Sequence, residues 1–107
     1  MFINFKLIEK ANAVELIKIV RPFANISLKE VTTNINNPNW IFASFNGLEE
    51  TEVDNSIACY KALTNSKILF VCHDEEGEEL SLAILENIKK SHEIANKEVL
   101  FEADNEI

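Results

Sequence analysis

The sequence contains little that interrupts regular structure. Only two glycines and two prolines occur among 107 residues, which favours regular elements joined by short polar loops and argues against disorder or a repeat array. No apolar run approaches the roughly 20 residues of a membrane span. Residues 1–10 lack the apolar run and small-residue cleavage site of a secretory signal peptide. We therefore expect a cytoplasmic protein.

Recognisable catalytic and metal-binding patterns are also absent. The two cysteines, Cys59 and Cys72, sit inside apolar segments, which predicts buried free thiols in a reducing compartment. The sequence has no Cys-x-x-Cys, His-x-x-x-His or Gly-x-Ser-x-Gly motif. The acidic run 74–79 offers oxygen donors without the ligand spacing of an EF-hand loop. We expect a protein that is not an enzyme and that binds no cofactor and no metal.

Negative charge is abundant and unevenly distributed. The formal net charge is −8. Residues 1–45 carry three acids and five bases, whereas residues 46–107 carry fifteen acids and five bases, so the two segments have net charges of +2 and −10. This balance disfavours nucleic acid, whose phosphates need clustered Lys and Arg, and anionic membrane surfaces. It favours a basic protein partner, because opposite fields raise the encounter rate.

Apolar periodicity and capping residues predict the order β-α-β-β-α-β-α-β. Residues 2–8 alternate as a strand with one buried face. Asn12 with Glu15, and Thr51 with Asp54, have the spacing of helix N-terminal capping boxes. The predicted strands are 2–8, 28–35, 40–45, 67–73 and 99–103, and the predicted helices are 12–20, 52–64 and 79–96.

Residues 28–35 admit two interpretations. Ser27 and Glu30 have capping-box spacing, whereas the β-branched residues that follow favour a strand. We take the strand, forming a hairpin through the turn at 36–39 with a central strand at 40–45. Residues 67–73 are then a second strand buried on both faces.

The predicted fold class is α/β, with α+β possible: a single domain over 1–107, with helices packed on a mixed sheet and a frayed tail at 104–107. The first six elements match the split β-α-β order of ferredoxin-like domains. An open, partly parallel sheet with helices on both faces is the alternative.

The predicted topology brings acidic residues together. Strands 40–45 and 67–73, joined by a helix, form a right-handed β-α-β unit and run parallel, so the loops at their carboxyl ends lie on the same edge of the sheet. We predict a partner-binding surface there, with Trp40 as an aromatic contact residue. The acids of the two loops are Glu49, Glu50, Glu52, Asp54, Asp74, Glu75, Glu76, Glu78 and Glu79.

In size, charge asymmetry and α/β type the whole chain resembles bacterial immunity proteins, the partners of contact-dependent growth inhibition toxins and of colicin-like or barnase-like nucleases. The resemblance implies a one-to-one complex in which an acidic surface occludes the basic active-site groove of a toxin. Two other functions stay open. One is a regulatory or scaffold module that binds another protein, and the other is a small enzyme or ligand-binding domain using the acidic edge and His73.

Overall fold

A computed structural model describes residues 1–105 of the chain, with side chains as far as residue 95. Residues 106 and 107 of the expected tail lie outside the described residues. The elements are β1 (Phe2–Leu7), α1 (Ala13–Val20), α2 (Leu28–Asn34), β2 (Ile41–Asn46), α3 (Glu50–Asn65), β3 (Phe70–His73) and α4 (Leu82–Asn105). They form one compact α/β domain, which confirms the predicted class.

The sheet has three strands in the order β2-β1-β3. β1 is antiparallel to both neighbours, so that Ile3 lies opposite Phe45 and Asn4 lies opposite His73. β2 and β3 therefore run parallel to each other, as the sequence predicts. Because β1 lies between them, they do not pair, and the sheet that we expected to be mixed has antiparallel ladders only.

The core lies on one face of this sheet. Ile3 and Phe5 of β1 are fully buried. The Phe5 ring contacts aromatic rings from β2, α3 and β3, with centroid distances between 5.7 and 6.3 Å. Buried residues of α1 and α3, together with Leu85 of α4, complete the same cluster. β1 is thus both the central strand and the centre of the core.

The helix α1 follows its sequence signals. The Asn12 side chain accepts a hydrogen bond from the Glu15 N–H at 3.1 Å, and the helix ends at Val20, before Pro22. Its predicted apolar residues Leu16 and Ile17 are buried. The first helix prediction is therefore confirmed in both its cap and its buried face.

The helix α3 is confirmed in its buried face but not in its cap. The predicted apolar stripe includes Val53, Ile57 and Leu63, all of which are buried. The helix begins earlier than predicted, and its N-cap Glu49 makes no side-chain capping bond. Thr51, which we expected to cap the helix, lies within its first turn.

Residues 28–35 are mainly helical, so the strand prediction is wrong there. The Ser27 Oγ accepts from the Glu30 N–H at 3.1 Å, and the Thr32 and Thr33 hydroxyls donate to backbone carbonyls three and four residues earlier. These local bonds let the threonines join a helix, and Val31 alone is buried on it. The preference of β-branched residues for a strand depends on a neighbouring strand to pack against. The capping box at Ser27 and Glu30 forms from local residues alone, and here it determines the structure.

The strands expected to be buried on both faces are edge strands. Without a strand at 28–35, the segment 40–45 has no hairpin partner and instead forms β2, which pairs only with β1. A register shift where β2 faces Phe5 and Lys6 lets Phe42 and Ala43 both be buried. β3 covers Phe70–His73 alone, and Leu69 is exposed.

The predicted strand at 99–103 belongs to α4. The five residues 99–103, four of them apolar, are too few to distinguish a strand from a helical segment by periodicity. No glycine or proline follows Gly77 in the sequence, so nothing interrupts the helix before this run.

Candidate partner-binding surface

The two acidic loops lie at the same edge of the sheet, on either side of the start of β1. The Gly47 N–H, after β2, donates to the Met1 carbonyl at 2.8 Å. The Phe2 N–H donates to the Glu75 Oε2, after β3, at 2.7 Å. Adjacent strands are about 4.8 Å apart, so the loops leave the sheet roughly 10 Å from each other. We call the nine acids of these loops and of the adjoining start of α3 the acidic edge; they are Glu49, Glu50, Glu52, Asp54, Asp74, Glu75, Glu76, Glu78 and Glu79.

The first loop joins β2 to α3 in a short turn. The Asn46 side chain accepts from the Leu48 N–H at 2.9 Å, and its carbonyl accepts from the Glu49 N–H at 3.2 Å. Glu50 and Glu52 then occupy the first turn of α3. Carboxylates there complement the positive end of the helix macrodipole, which is a reason for these two acids whether or not another protein binds.

The second loop is held by a network around Asp74. Its Oδ1 accepts from the N–H groups of Glu76 and Glu78, both at 2.9 Å. Its backbone N–H donates to the Glu78 carbonyl at 2.9 Å, and its carbonyl accepts from the Gly77 N–H at 3.1 Å. The turn needs Gly77 at φ +87°. The loop therefore has a defined conformation, from which Glu75, Glu76, Glu78 and Glu79 are exposed to solvent.

Few basic groups offset the acidic edge. Lys89 of α4 forms an ion pair with Asp54 at 3.2 Å. The hydrogen bond and charge of Asp54 raise the pKa of Lys89, with smaller contributions from Glu93 and Glu50. The hydrogen bond from the Phe2 N–H lowers the pKa of Glu75. The carboxylate of Glu75 is thus held in its charged form at the centre of the surface.

Two exposed apolar side chains lie among these acids. Phe2 is 52% exposed and Leu48 is 74% exposed. Neither residue was among those predicted for this surface. A signal was present in the second case, because Leu48 is an apolar residue inside a turn between Gly47 and Glu49. Such residues act as contact points in an otherwise polar interface.

Trp40 is not at the acidic edge. It precedes β2, whereas the first acidic loop follows it, so about 20 Å of strand separates the two at roughly 3.3 Å per residue. Its ring lies 6.1 Å from that of Phe42, and the side chain is half-buried against the core. The structure therefore separates Trp40 from the nine acids with which we grouped it.

The histidines are held by backbone carbonyls. The His73 Nδ1 donates to the Asp74 carbonyl at 2.7 Å, and its Nε2 is buried without a partner among the described residues. The His92 Nε2 donates to the Gly47 carbonyl at 2.9 Å, which joins α4 to the first acidic loop. His73 lies opposite Asn4 and Cys72 opposite Phe5, so the two adjacent side chains point to opposite faces of the sheet.

The described side chains contain no group of three or more His, Cys, Asp or Glu residues placed to hold a metal ion. Burial raises the pKa of both cysteine thiols to about 12, and a thiol rather than a thiolate is a poor nucleophile. Cys59 and Cys72 are both buried and free, as the sequence predicts. What the surface offers chemically is an extended field of negative charge.

Comparison of the chain with protein-family models, with curated proteins and with solved structures finds no match. Within the described part of the chain, no helix combines the length and apolar composition needed to cross a membrane.

Proposed function

We propose that this chain is an immunity protein: a cytoplasmic protein that binds a basic, nucleic-acid-cleaving toxin domain one to one and occludes its active-site groove. The observation that carries the proposal is the acidic edge itself. Its nine carboxylates come from the two loops beside the start of β1 and from the first two turns of α3, and the apolar side chains of Phe2 and Leu48 are exposed in the same region.

The charge of the surface fits the chemistry of such a target. An enzyme that cleaves nucleic acid must attract a polyanion, and it does so with Lys and Arg. A cluster of carboxylates is attracted by the same field. Mutual repulsion among the acids opposes the compact state, and the helix macrodipole accounts only for acids in a first helical turn. The remaining carboxylates fit a role in binding.

The loop geometry supports tight as well as fast binding. Charge steers encounter and raises the association rate, whereas a few packed apolar residues supply most of the affinity. Phe2 and Leu48 are placed to supply it. The hydrogen bonds around Asp74 fix the second loop before any partner arrives, which reduces the entropy lost on binding.

The experiment uses the chain and the nuclease domain of a toxin encoded immediately upstream of its gene. Stopped-flow association is measured over a range of salt concentrations, and nuclease activity is measured at saturation. The edge variant replaces Glu76, Glu78 and Glu79 with Lys. The control variant makes the same replacement at the exposed residues Glu9, Glu15 and Glu86. Each Glu→Lys change adds two charges, so both variants change from −8 to −2.

We expect the wild-type chain to abolish nuclease activity and the edge variant to associate at least about tenfold more slowly at low salt, with a flatter salt dependence. The control variant should lose much less. Equal losses in the two variants would mean that net charge matters and the acidic edge does not. A chain that binds another cellular protein and leaves the nuclease active would instead be a regulatory or scaffold module.

A further inference from the structure

The outer edge of β2 borders a groove that no described residue fills. The groove has a volume of about 570 Å³, within the range of about 300–1,000 Å³ typical of ligand sites. One wall is β2, and the other is the segment 21–25 between α1 and α2, with Glu30 and Glu52 at its margins. This wall is ordered, because the Phe23 and Ala24 N–H groups both donate to the Val20 carbonyl.

The groove exposes backbone hydrogen-bonding groups. In an antiparallel ladder, alternate residues direct their N–H and C=O groups toward the partner strand. The Gly47 N–H donates to the Met1 carbonyl, and Phe45 lies opposite Ile3. The backbone N–H and C=O groups of Gly47 and Phe45 therefore point toward β1. The backbone N–H and C=O groups of Ser44, the residue before Phe45, therefore point away from β1, and they have no partner among the described residues.

The edge of β2 lacks two of the usual protections against pairing, charged residues and proline, and its register shift lies only at the Ile41–Phe42 end. Natural sheets block exposed edges with Lys, Pro or very short strands. β2 has six residues, IFASFN, with neither a charge nor a proline. A further strand could therefore pair with the regular part of β2, residues 43–46, with the segment 21–25 on the other side of that strand.

We propose that this groove binds an extended, basic segment of a protein partner, which pairs with β2 as a fourth strand. The charged residues that line the groove are two acids, Glu30 and Glu52, and one base, Arg21, which favours a basic segment over an acidic one. A second copy of the chain is disfavoured, because pairing two β2 edges would bring together molecules that each carry −8. The proposal takes from the proposed function only the basic character of the partner.

The test is an NMR titration of the ¹⁵N-labelled chain with the capped peptide acetyl-Lys-Val-Lys-Val-Lys-Val-amide. We expect shift changes confined to 21–25, 41–46 and the lining residues Glu30 and Glu52, slower exchange of the Ser44 amide, and contacts between Ser44 and the peptide backbone. The same peptide with alternate amides N-methylated should bind at least about tenfold more weakly, because it cannot complete the ladder. This comparison leaves the protein unchanged.

Two variants of Ser44 test the same backbone hydrogen bond by changing the protein instead of the peptide. Ser44→Pro removes the outward N–H, whereas Ser44→Ala removes only the hydroxyl, which donates to the Asn4 side chain on the open face of the sheet. Proline is tolerated on an edge strand where its N–H would face outward. We expect Ser44→Pro to weaken peptide binding about tenfold and Ser44→Ala to leave it nearly unchanged.

Three results would overturn the proposal. They are shift changes confined to the acidic edge, equal binding of the N-methylated peptide, or shifts at 41–46 that grow with protein concentration in the absence of peptide. The last would identify a second copy as the occupant. The proposed function is judged separately, by toxin inhibition and its loss in the Glu76, Glu78 and Glu79 variant. Failure of the groove proposal would leave that result standing.

Discussion

The Glu75 carboxylate occupies the place of a backbone carbonyl at the end of the β1–β3 ladder. Asn4 lies opposite His73, so an unbroken register would place Phe2 opposite residue 75. The chain turns away at Asp74, and the Glu75 side chain reaches back instead to accept the Phe2 N–H at 2.7 Å. One acid of the acidic edge therefore completes the sheet as well as charging the surface.

This bond predicts a pH dependence. The Phe2 N–H lowers the pKa of Glu75 below its ordinary value of 4.5. A depressed carboxyl pKa adds stability that is present above the unfolded-state value and is lost as pH falls through the folded-state value. The Phe2 amide resonance should titrate with a midpoint below 4.5, and the step should vanish in Glu75→Gln. A midpoint at or above 4.5 would contradict the assignment.

Gly77→Ala should destabilise the second acidic loop. A left-handed conformation costs a residue with a Cβ about 1–2 kcal/mol, and nothing lies within 4 Å of the added Cβ to introduce a clash. We expect a loss of about 1 kcal/mol in the free energy of unfolding, measured by urea denaturation. Gly77→Asn should lose less, since Asn adopts positive φ more readily. Equal losses would indicate a cause other than φ.

Phe2→Ser and Leu48→Ser should affect partner binding and leave folding intact. Both side chains are exposed, so the free energy of unfolding should change by less than about 0.5 kcal/mol. If they anchor the toxin, each change should raise the dissociation rate about tenfold or more. Leu69→Ser is the matched control, because Leu69 is 52% exposed and lies beside Ile8, at the end of β1 away from Phe2. An equal loss of toxin binding in Leu69→Ser would show that Phe2 and Leu48 are not specific contact residues.

The two cysteine thiols should not react with thiol reagents while the chain is folded. Burial raises the pKa of Cys59 and Cys72 to about 12, so neither forms an appreciable thiolate at pH 8. Ellman's reagent should react only as fast as the chain unfolds, and urea should accelerate the reaction. A pKa raised in the folded state also predicts that stability falls as pH rises above the ordinary thiol value. Rapid labelling in buffer would show that the thiols are accessible.

Capping-box spacing marks the observed starts of α1 and α2, whereas the spacing at Thr51 and Asp54 does not mark the start of α3. Asn12 with Glu15 gave the start of α1 because a capping bond spans three residues and needs no tertiary partner. The same pattern at Ser27 and Glu30 was outweighed in our interpretation by the β-branched residues after it, although the capping bond forms. A local hydrogen bond was a better guide than strand propensity, which depends on what lies alongside.

Strand order and the composition of the candidate surface depended on distant contacts. Nothing in the alternation of residues 2–8 says that β1 lies between β2 and β3, yet that placement makes both partners edge strands. The parallel course of β2 and β3 followed from chirality, so the acidic loops could be grouped from the sequence. The exposure of Phe2 agrees with the alternation of residues 2–8, which puts it on the face opposite Ile3 and Phe5. Its place between the two acidic loops could not be predicted, because that depends on the strand order.

The first strand in the sequence is the middle strand of the sheet, and this orders the events of folding. Helices α1, α2 and α3 close over a few residues each, whereas both β ladders join segments some 40 to 70 positions apart. Closing such loops slows folding. On the ribosome, Ile3 and Phe5 stay without a strand partner until β2 has emerged, and the sheet is complete only when β3 follows.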